Sequence, residues 1–219
     1  TADRLGVDPS ECIVIEDSFH GITAANAAGM ACIGYINPNS GKQDLRKASF
    51  LVEGFDEIDY AYLNKIYQYA HNEPVTILTT EHFIIREMTV QDIEELFQIC
   101  QDPDIKRYLD GFTNDLETEK EKHLAYIKNV YHFYCFGLWG VYYKGSGLLA
   151  GRCGIEYKLL DNEEIYEIGW LLAKPYQGHG YAREFVSQVM NYCFQKLNIS
   201  CITAVIDRDN IKSVHLAEQ

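Results

Sequence analysis

The sequence has no C-x-x-C pair, no excess of basic residues, and no apolar run approaching the ~20 residues that a membrane span needs. Each absence removes a class of function. Seven cysteines is an odd number. Without paired spacings they argue against a disulfide framework or a zinc site and predict a reducing, cytoplasmic setting. A formal net charge of -13 argues against nucleic-acid backbones and anionic membranes as partners. Both halves of the chain share the acidity, so neither offers a basic footprint. An acidic surface favours a cationic acceptor such as an amine, though only weakly. No internal repeat, low-complexity tract or signal-like start is visible. The chain opens on Thr1, and the absent initiator Met suggests a fragment.

What is present is an ordinary globular composition, 47% hydrophobic and 23% charged, over 219 residues. That length suits one large domain or two small ones. Residues 1–71 read as alternating strand and helix. Strands are expected at 12–15, 31–35 and 50–53 and helices at 18–28 and 58–69, an α/β pattern with parallel pairing. Residues 72–76, polar and containing Pro74, read as a linker. Residues 77–219 form a second, α+β pattern. Strands are expected at 77–87, 136–143, 147–157, 164–172 and 202–206. Helices are expected at 90–100, from the run "ETEKEKH", from Tyr181 to about Leu197, and from Ile211 onward. Ala182, Phe185, Val186, Val189, Cys193 and Leu197 mark a buried stripe on the long helix. Cys193 and Cys201 read as core residues.

The stretch "YQGHGYA", Tyr176 to Ala182, stands between an apolar strand and that long helix. A helix N-terminus leaves N–H groups without partners, and its dipole favours anions. Gly178 and Gly180 would let a phosphate approach the backbone without meeting a Cβ, and Ala182 keeps the first turn slim. Such a seat needs no basic side chain, which suits an acidic protein.

The spacing Gln177-x-x-Gly180-x-Ala182 resembles the Q/R-x-x-G-x-G/A signature of the GNAT superfamily of acyl-CoA-dependent N-acyltransferases. The flanks extend the resemblance. "EIYEIGWLLAKPYQGHGYAREF" is similar to that superfamily's fourth strand, phosphate loop and third helix. "AVIDRDNIKSVHLAEQ" is similar to its fifth strand and fourth helix, and "FIIREMTVQDIEELFQICQDPDIKRYL" to its opening strand and helices. The phrase "EIGW" is most like the branch containing ribosomal-protein N-terminal acetyltransferases. The resemblance implies acetyl-CoA as co-substrate. Pantetheine would bond strand-four backbone near Leu171, Leu172 and Ala173. The diphosphate would sit on Gln177, Gly178, His179, Gly180, Tyr181 and Ala182, with Asn210 and Ser213 lining the cofactor wall. A small-molecule or peptide amine would attack the thioester directly, with Glu167 as base and Glu164 and Glu156 as neighbours in role. The position where the superfamily often keeps a Tyr acid is Ala217. A GNAT fold lacking its last strands is implied, and an acyl-CoA-binding module without transfer is an alternative.

"VIEDSFHGITAANAAGM", Val14 to Met30, resembles the last motif of haloacid dehalogenase-like hydrolases of the beta-phosphoglucomutase-like group. The resemblance implies a partial Rossmann-like domain over residues 1–71. Glu16 and Asp17 would be its Mg²⁺ acids and Ser18 a helix cap. That family's nucleophilic Asp and its middle motifs have no counterpart here. No phosphatase or mutase turnover is therefore expected from this chain.

Overall fold

Parallel strands need a crossover longer than a hairpin turn, and the front of the chain supplies one. A computed structural model describes residues 2–56, 58–109 and 111–219. It divides into two units, Thr1–Val75 and Thr76–Gln219. In the first, β1 (Ile13–Glu16), α1 (Phe19–Ala27), β2 (Ala31–Tyr35), β3 (Phe50–Val52) and α2 (Tyr60–Ala70) follow in order. The strands form a parallel sheet in the order β1-β2-β3. Ser18 Oγ accepts the Gly21 N–H at 3.0 Å and caps α1, satisfying one orphan donor of the first turn. Ile22 and Ala25 of α1 bury their apolar side against Cys32 and Leu45.

The second unit begins with β4 (Thr76–Thr79) and β5 (Phe83–Arg86). A single strand is expected over 77–87, but Thr80 breaks it. Its hydroxyl accepts the Phe83 N–H at 3.0 Å and its own N–H donates to Phe83 O at 2.9 Å, so a hairpin turn forms. Helices α3 (Ile93–Cys100), α4 (Pro103–Lys106) and α5 (Leu116–Tyr126) follow, and α5 runs into a π-helical turn over Ile127–Tyr131. Then come β6 (Leu138–Tyr143), β7 (Leu149–Leu160), β8 (Glu163–Leu172), α6 (Tyr181–Lys196) and α7 (Ile211–Ala217). The five strands form an antiparallel sheet in chain order, β4 to β8.

Alternation along the strands gives the sheet two apolar faces. On one, Phe83, Val141, Ile155 and Ile168 pack against Phe185, Val189 and Cys193 of α6. On the other, Tyr142, Leu149 and Leu171 pack against Ile93, Leu96 and Cys100 of α3. The layer order is helix, sheet, helix. Cys193 is buried as expected, whereas Cys201 is exposed, because the segment carrying it leaves the sheet.

Candidate active site

Segment 202–206 has strand-forming residues yet makes only one parallel bridge, Thr203 with Glu167. Ile168 N donates to Thr203 O and Thr203 N to Tyr166 O, both at 2.8 Å. Toward Leu172 no second bridge to this segment forms among the described residues, and the expected fifth strand is absent as an element. The two backbones diverge where their polar groups would otherwise pair. Main-chain groups alternate from edge to edge along an antiparallel strand. Those of Trp170 and Leu172 therefore share the edge that Tyr166 and Ile168 present to Thr203. Ala173 N is committed to Ala150 O at 2.8 Å on the β7 side, and Leu171 pairs with Arg152 there. Of the expected pantetheine contacts only Leu172 thus offers backbone to the gap, through its N–H, since its carbonyl accepts from Gln177 Nε2. Leu171 and Ala173 do not, and Trp170, missed in the sequence, does.

The loop that follows ends at the mouth of α6. Gly178 and Gly180 adopt φ values of +83° and +79°, and nothing lies within 4 Å of where a Cβ would stand on either. Gly180 is the N-cap and has no side chain to close the first turn. The earliest intrahelical bond recorded there is Glu184 N to Gly180 O at 3.2 Å. The amides before it have no hydrogen-bond partner among the described residues and stand at the positive end of the helix dipole.

Gln177 has another part to play. Its Nε2 donates to Leu172 O at 2.7 Å and its Oε1 accepts from Lys212 Nζ at 3.0 Å. Both ends of the amide are used, so Gln177 braces the loop against β8 and α7. Lys212 thereby brings a cation to the loop. Tyr181 packs on Phe83 at 5.1 Å and on His82 at 4.9 Å. A hydrogen bond with Tyr143 holds its phenol above the ordinary pKa. His179 stands exposed at the tip, and Ala182 is half-buried. Asn210 Oδ1 accepts the Ser213 N–H at 3.3 Å, so this pair is joined as the cap of α7.

Glu167 lies directly across from Glu156 in the β7–β8 ladder. Two carboxylates opposite each other repel, and Lys158 relieves them. Its Nζ is 3.1 Å from Glu167 Oε2 and 3.3 Å from Glu156 Oε2. Burial works against the ammonium, but the two acids outweigh it and raise its pKa. Tyr126 Oη donates to Glu156 Oε1 at 3.0 Å and accepts from Leu138 N at 2.8 Å. Burial, with the Glu156 charge added, pushes that phenol far above its usual value, so it stays a neutral donor. Glu164 is drawn away to Tyr157, whose pKa this bond pushes up to about 12.

The profile of the acetyltransferase (GNAT) domain matches residues 82–219. The chain belongs to the GNAT acetyltransferase family. It is 29% identical over 145 residues to the uncharacterized protein YkkB of Bacillus subtilis (strain 168), covering 66% of this chain and 83% of that one. The crystal structure of an acetyltransferase from Agrobacterium tumefaciens str. C58 superposes with a TM-score of 0.55 at 26% identity, covering 64% of this chain and 80% of that one. A shorter match, 37% over 62 residues, is to the putative phosphatase YhcW of the same Bacillus, covering 28% of each. Lys158, Tyr126 and Lys212 are GNAT-domain residues that sequence reading missed. A signal existed for the first: Arg152, Gly154, Glu156 and Lys158 alternate with apolar residues, placing one strand's charges on one face.

The acids of the first unit are spent on local structure. Glu16 Oε2 accepts from Ser18 N at 2.9 Å and Ser18 Oγ at 2.8 Å. Asp17 Oδ2 accepts from Ser40 Oγ and, at 2.6 Å, from Asn37 Nδ2. Ser40 first, then Asn37, lowers the Asp17 pKa. Among the described residues no cluster of three His, Cys, Asp or Glu forms. Mg²⁺ takes an octahedron of oxygens with few dedicated protein ligands. One oxygen of each acid, Glu16 Oε2 and Asp17 Oδ2, is engaged by these bonds, and the two acids alone are an incomplete ligand set for that ion.

Proposed function

We propose that residues 77–219 transfer an acetyl group from acetyl-CoA to a primary amine by direct attack. The observation carrying this is the unpaired edge of β8 opening beside a glycine loop at the start of α6. The site's chemistry fits the co-substrate: amides without a Cβ in front of them suit a diphosphate, and a strand edge with free main-chain groups suits pantetheine. Gly178 to Ala182 would hold the diphosphate, and Trp170 and Leu172 the pantetheine amides. Asn210 and Ser213 would line the far wall. Acetyl-CoA, when bound, supplies an activated thioester.

The chain's own residues prepare the acceptor. Glu167, steadied by Lys158 and facing Glu156, would take the ammonium proton through water, leaving a neutral amine to attack. Cys193 is a poor nucleophile because burial pushes its thiol up to about 12. Cys153 is raised well above its ordinary value for the same reason. Ala217 offers no acid, so either another group would protonate the leaving thiolate or it would leave unassisted, as its moderate acidity permits.

Glu167→Gln is expected to lower kcat for thiol release by about 10²–10³ while calorimetric acetyl-CoA affinity holds. Wild-type kcat in the variant would remove Glu167 from the base role. Acetyl-CoA binding without thiol release from any of a broad set of amines would favour the binding-module alternative, which Ala217 alone supports.

For residues 1–71 a second reading stands on the parallel β1-β2-β3 sheet and the match to a putative phosphatase. We infer a haloacid dehalogenase-like segment without turnover. Hydrolysis of p-nitrophenyl phosphate by this chain with Mg²⁺ would contradict it.

A further inference from the structure

Between α3, α5 and the sheet lies a cavity of about 100 Å³, lined by Leu96, Phe112, Glu119, His123, Tyr126 and Arg152 among others. Its lining includes Glu119, Lys122 and Arg152, and a charge held away from water is costly unless it is paired. Glu119 in its lining, Asp92 close to His123 and Glu156 bonded to Tyr126 each have a partner. Glu119 accepts from Thr113 N and Oγ1 and from Lys122 Nζ. Asp92 is gripped by both terminal nitrogens of Arg86 and by Thr89. Glu156 is held by Tyr126 and Lys158. Lys122 is likewise engaged, by Glu119 and Gly111 O.

Arg152 is the exception. It is half-buried on β7, and its guanidinium has no hydrogen bond or ion pair among the described residues. A guanidinium stays charged at any pH a protein survives. It cannot relieve its burial by losing a proton, and its charge already disfavours protonation of His123.

Two facts tie this cation to the site. Arg152 sits directly opposite Leu171 of β8, and it shares a sheet face with Glu156 and Glu167. Tyr126 lines the cavity and also donates to Glu156. The cavity and the proposed base therefore lie on one surface, joined by a hydrogen-bonded side chain.

From this geometry we infer that the cavity is an acceptor subsite in which the Arg152 guanidinium receives a carboxylate, so that the acceptor is a small amine that also carries an acid group. The inference rests on the acetyltransferase reading and narrows its substrate class. The volume suits a small group: a cavity of about 100 Å³ has room for a carboxylate and the carbon that bears it. The charge suits it as well. One guanidinium matches a monoanion in a planar, bidentate pair, and the other cations nearby, Lys122, Arg86 and Lys158, are already held by Glu119, Asp92 and Glu156.

The test uses the full chain, with the standard amino acids and their α-carboxamides as paired probes. Thiol release is read with acetyl-CoA, and binding is read by calorimetry into protein saturated with coenzyme A. For at least one pair, the acid is expected to show a KM or Kd about ten-fold below its amide, the size of one charge-assisted pair. In Arg152→Met that ratio should fall to about one, and Arg152→Lys, which keeps the charge without the fork, should fall between. Melting temperature and acetyl-CoA affinity confirm that the variants fold. Equal use of acids and amides overturns the inference. So does an acid preference that survives Arg152→Met, or the absence of binding by any acid in protein that holds coenzyme A. Failure of acetyl-CoA itself to bind the wild type would instead overturn the transferase reading.

Discussion

At the scale of single residues, interior charges decide behaviour. His123 is buried, with Nε2 3.1 Å from Thr89 O. Burial lowers its pKa; the Thr89 carbonyl and Asp92 pull the other way, and Arg152 adds to the fall. The unfolded chain therefore takes up the proton first as pH drops. This contribution to stability is complete above the unfolded value of about 6.5 and is lost below it. The melting temperature of the wild type should hold above about pH 7 and decline from about pH 6.5 to 5, and His123→Gln should flatten that interval. An equal decline in the variant would show that another group is responsible. Glu167 is legible in the sequence because its strand announces itself. Its partnership with Glu156 and Lys158 is not, because it depends on the β7–β8 register. Gln177 shows the same limit: its spacing marks the loop, but its bonds to Leu172 and Lys212 belong to the fold.

At the scale of elements, periodicity reads well and partners do not. The buried stripe of α6 is visible as Phe185, Val186, Val189 and Cys193, which are all buried. The 202–206 run has a strand's composition, yet pairing depends on what its backbone meets, and it meets β8 only at Thr203. The apolar run over 77–87 hides a hairpin because Thr80 closes the turn with its side chain. The cysteine at 201 follows its segment out of the core. The glycine loop carries the sharpest prediction at this scale. Gly180→Val places a branched Cβ at φ +79°, in front of the first amides of α6. Acetyl-CoA affinity should fall at least about ten-fold, while the packing of Phe185 and Val189 holds the helix in place. Unchanged affinity, read by calorimetry, would reduce the loop to a plain turn.

At the scale of the whole molecule, the chain holds two units with separate cores. Length alone allows one large domain or two small ones, and the polar stretch with Pro74 is where the sequence reading sets the linker. The GNAT family model matches residues 82–219 of the second unit, where an α+β pattern is expected and a mixed α/β GNAT-like fold is found. No helix among the described residues is long and apolar enough to cross a membrane. The net charge of -13 is compatible with the proposed diphosphate seat of backbone amides, which needs no basic side chain.

The account stands on main-chain amides at the α6 mouth and on the open edge of β8. Its most direct test is calorimetric titration of acetyl-CoA into the folded wild-type chain. Saturable one-to-one binding is the predicted result, with inorganic phosphate at equal concentration giving no comparable heat. No binding at millimolar acetyl-CoA by protein that melts cooperatively would contradict it.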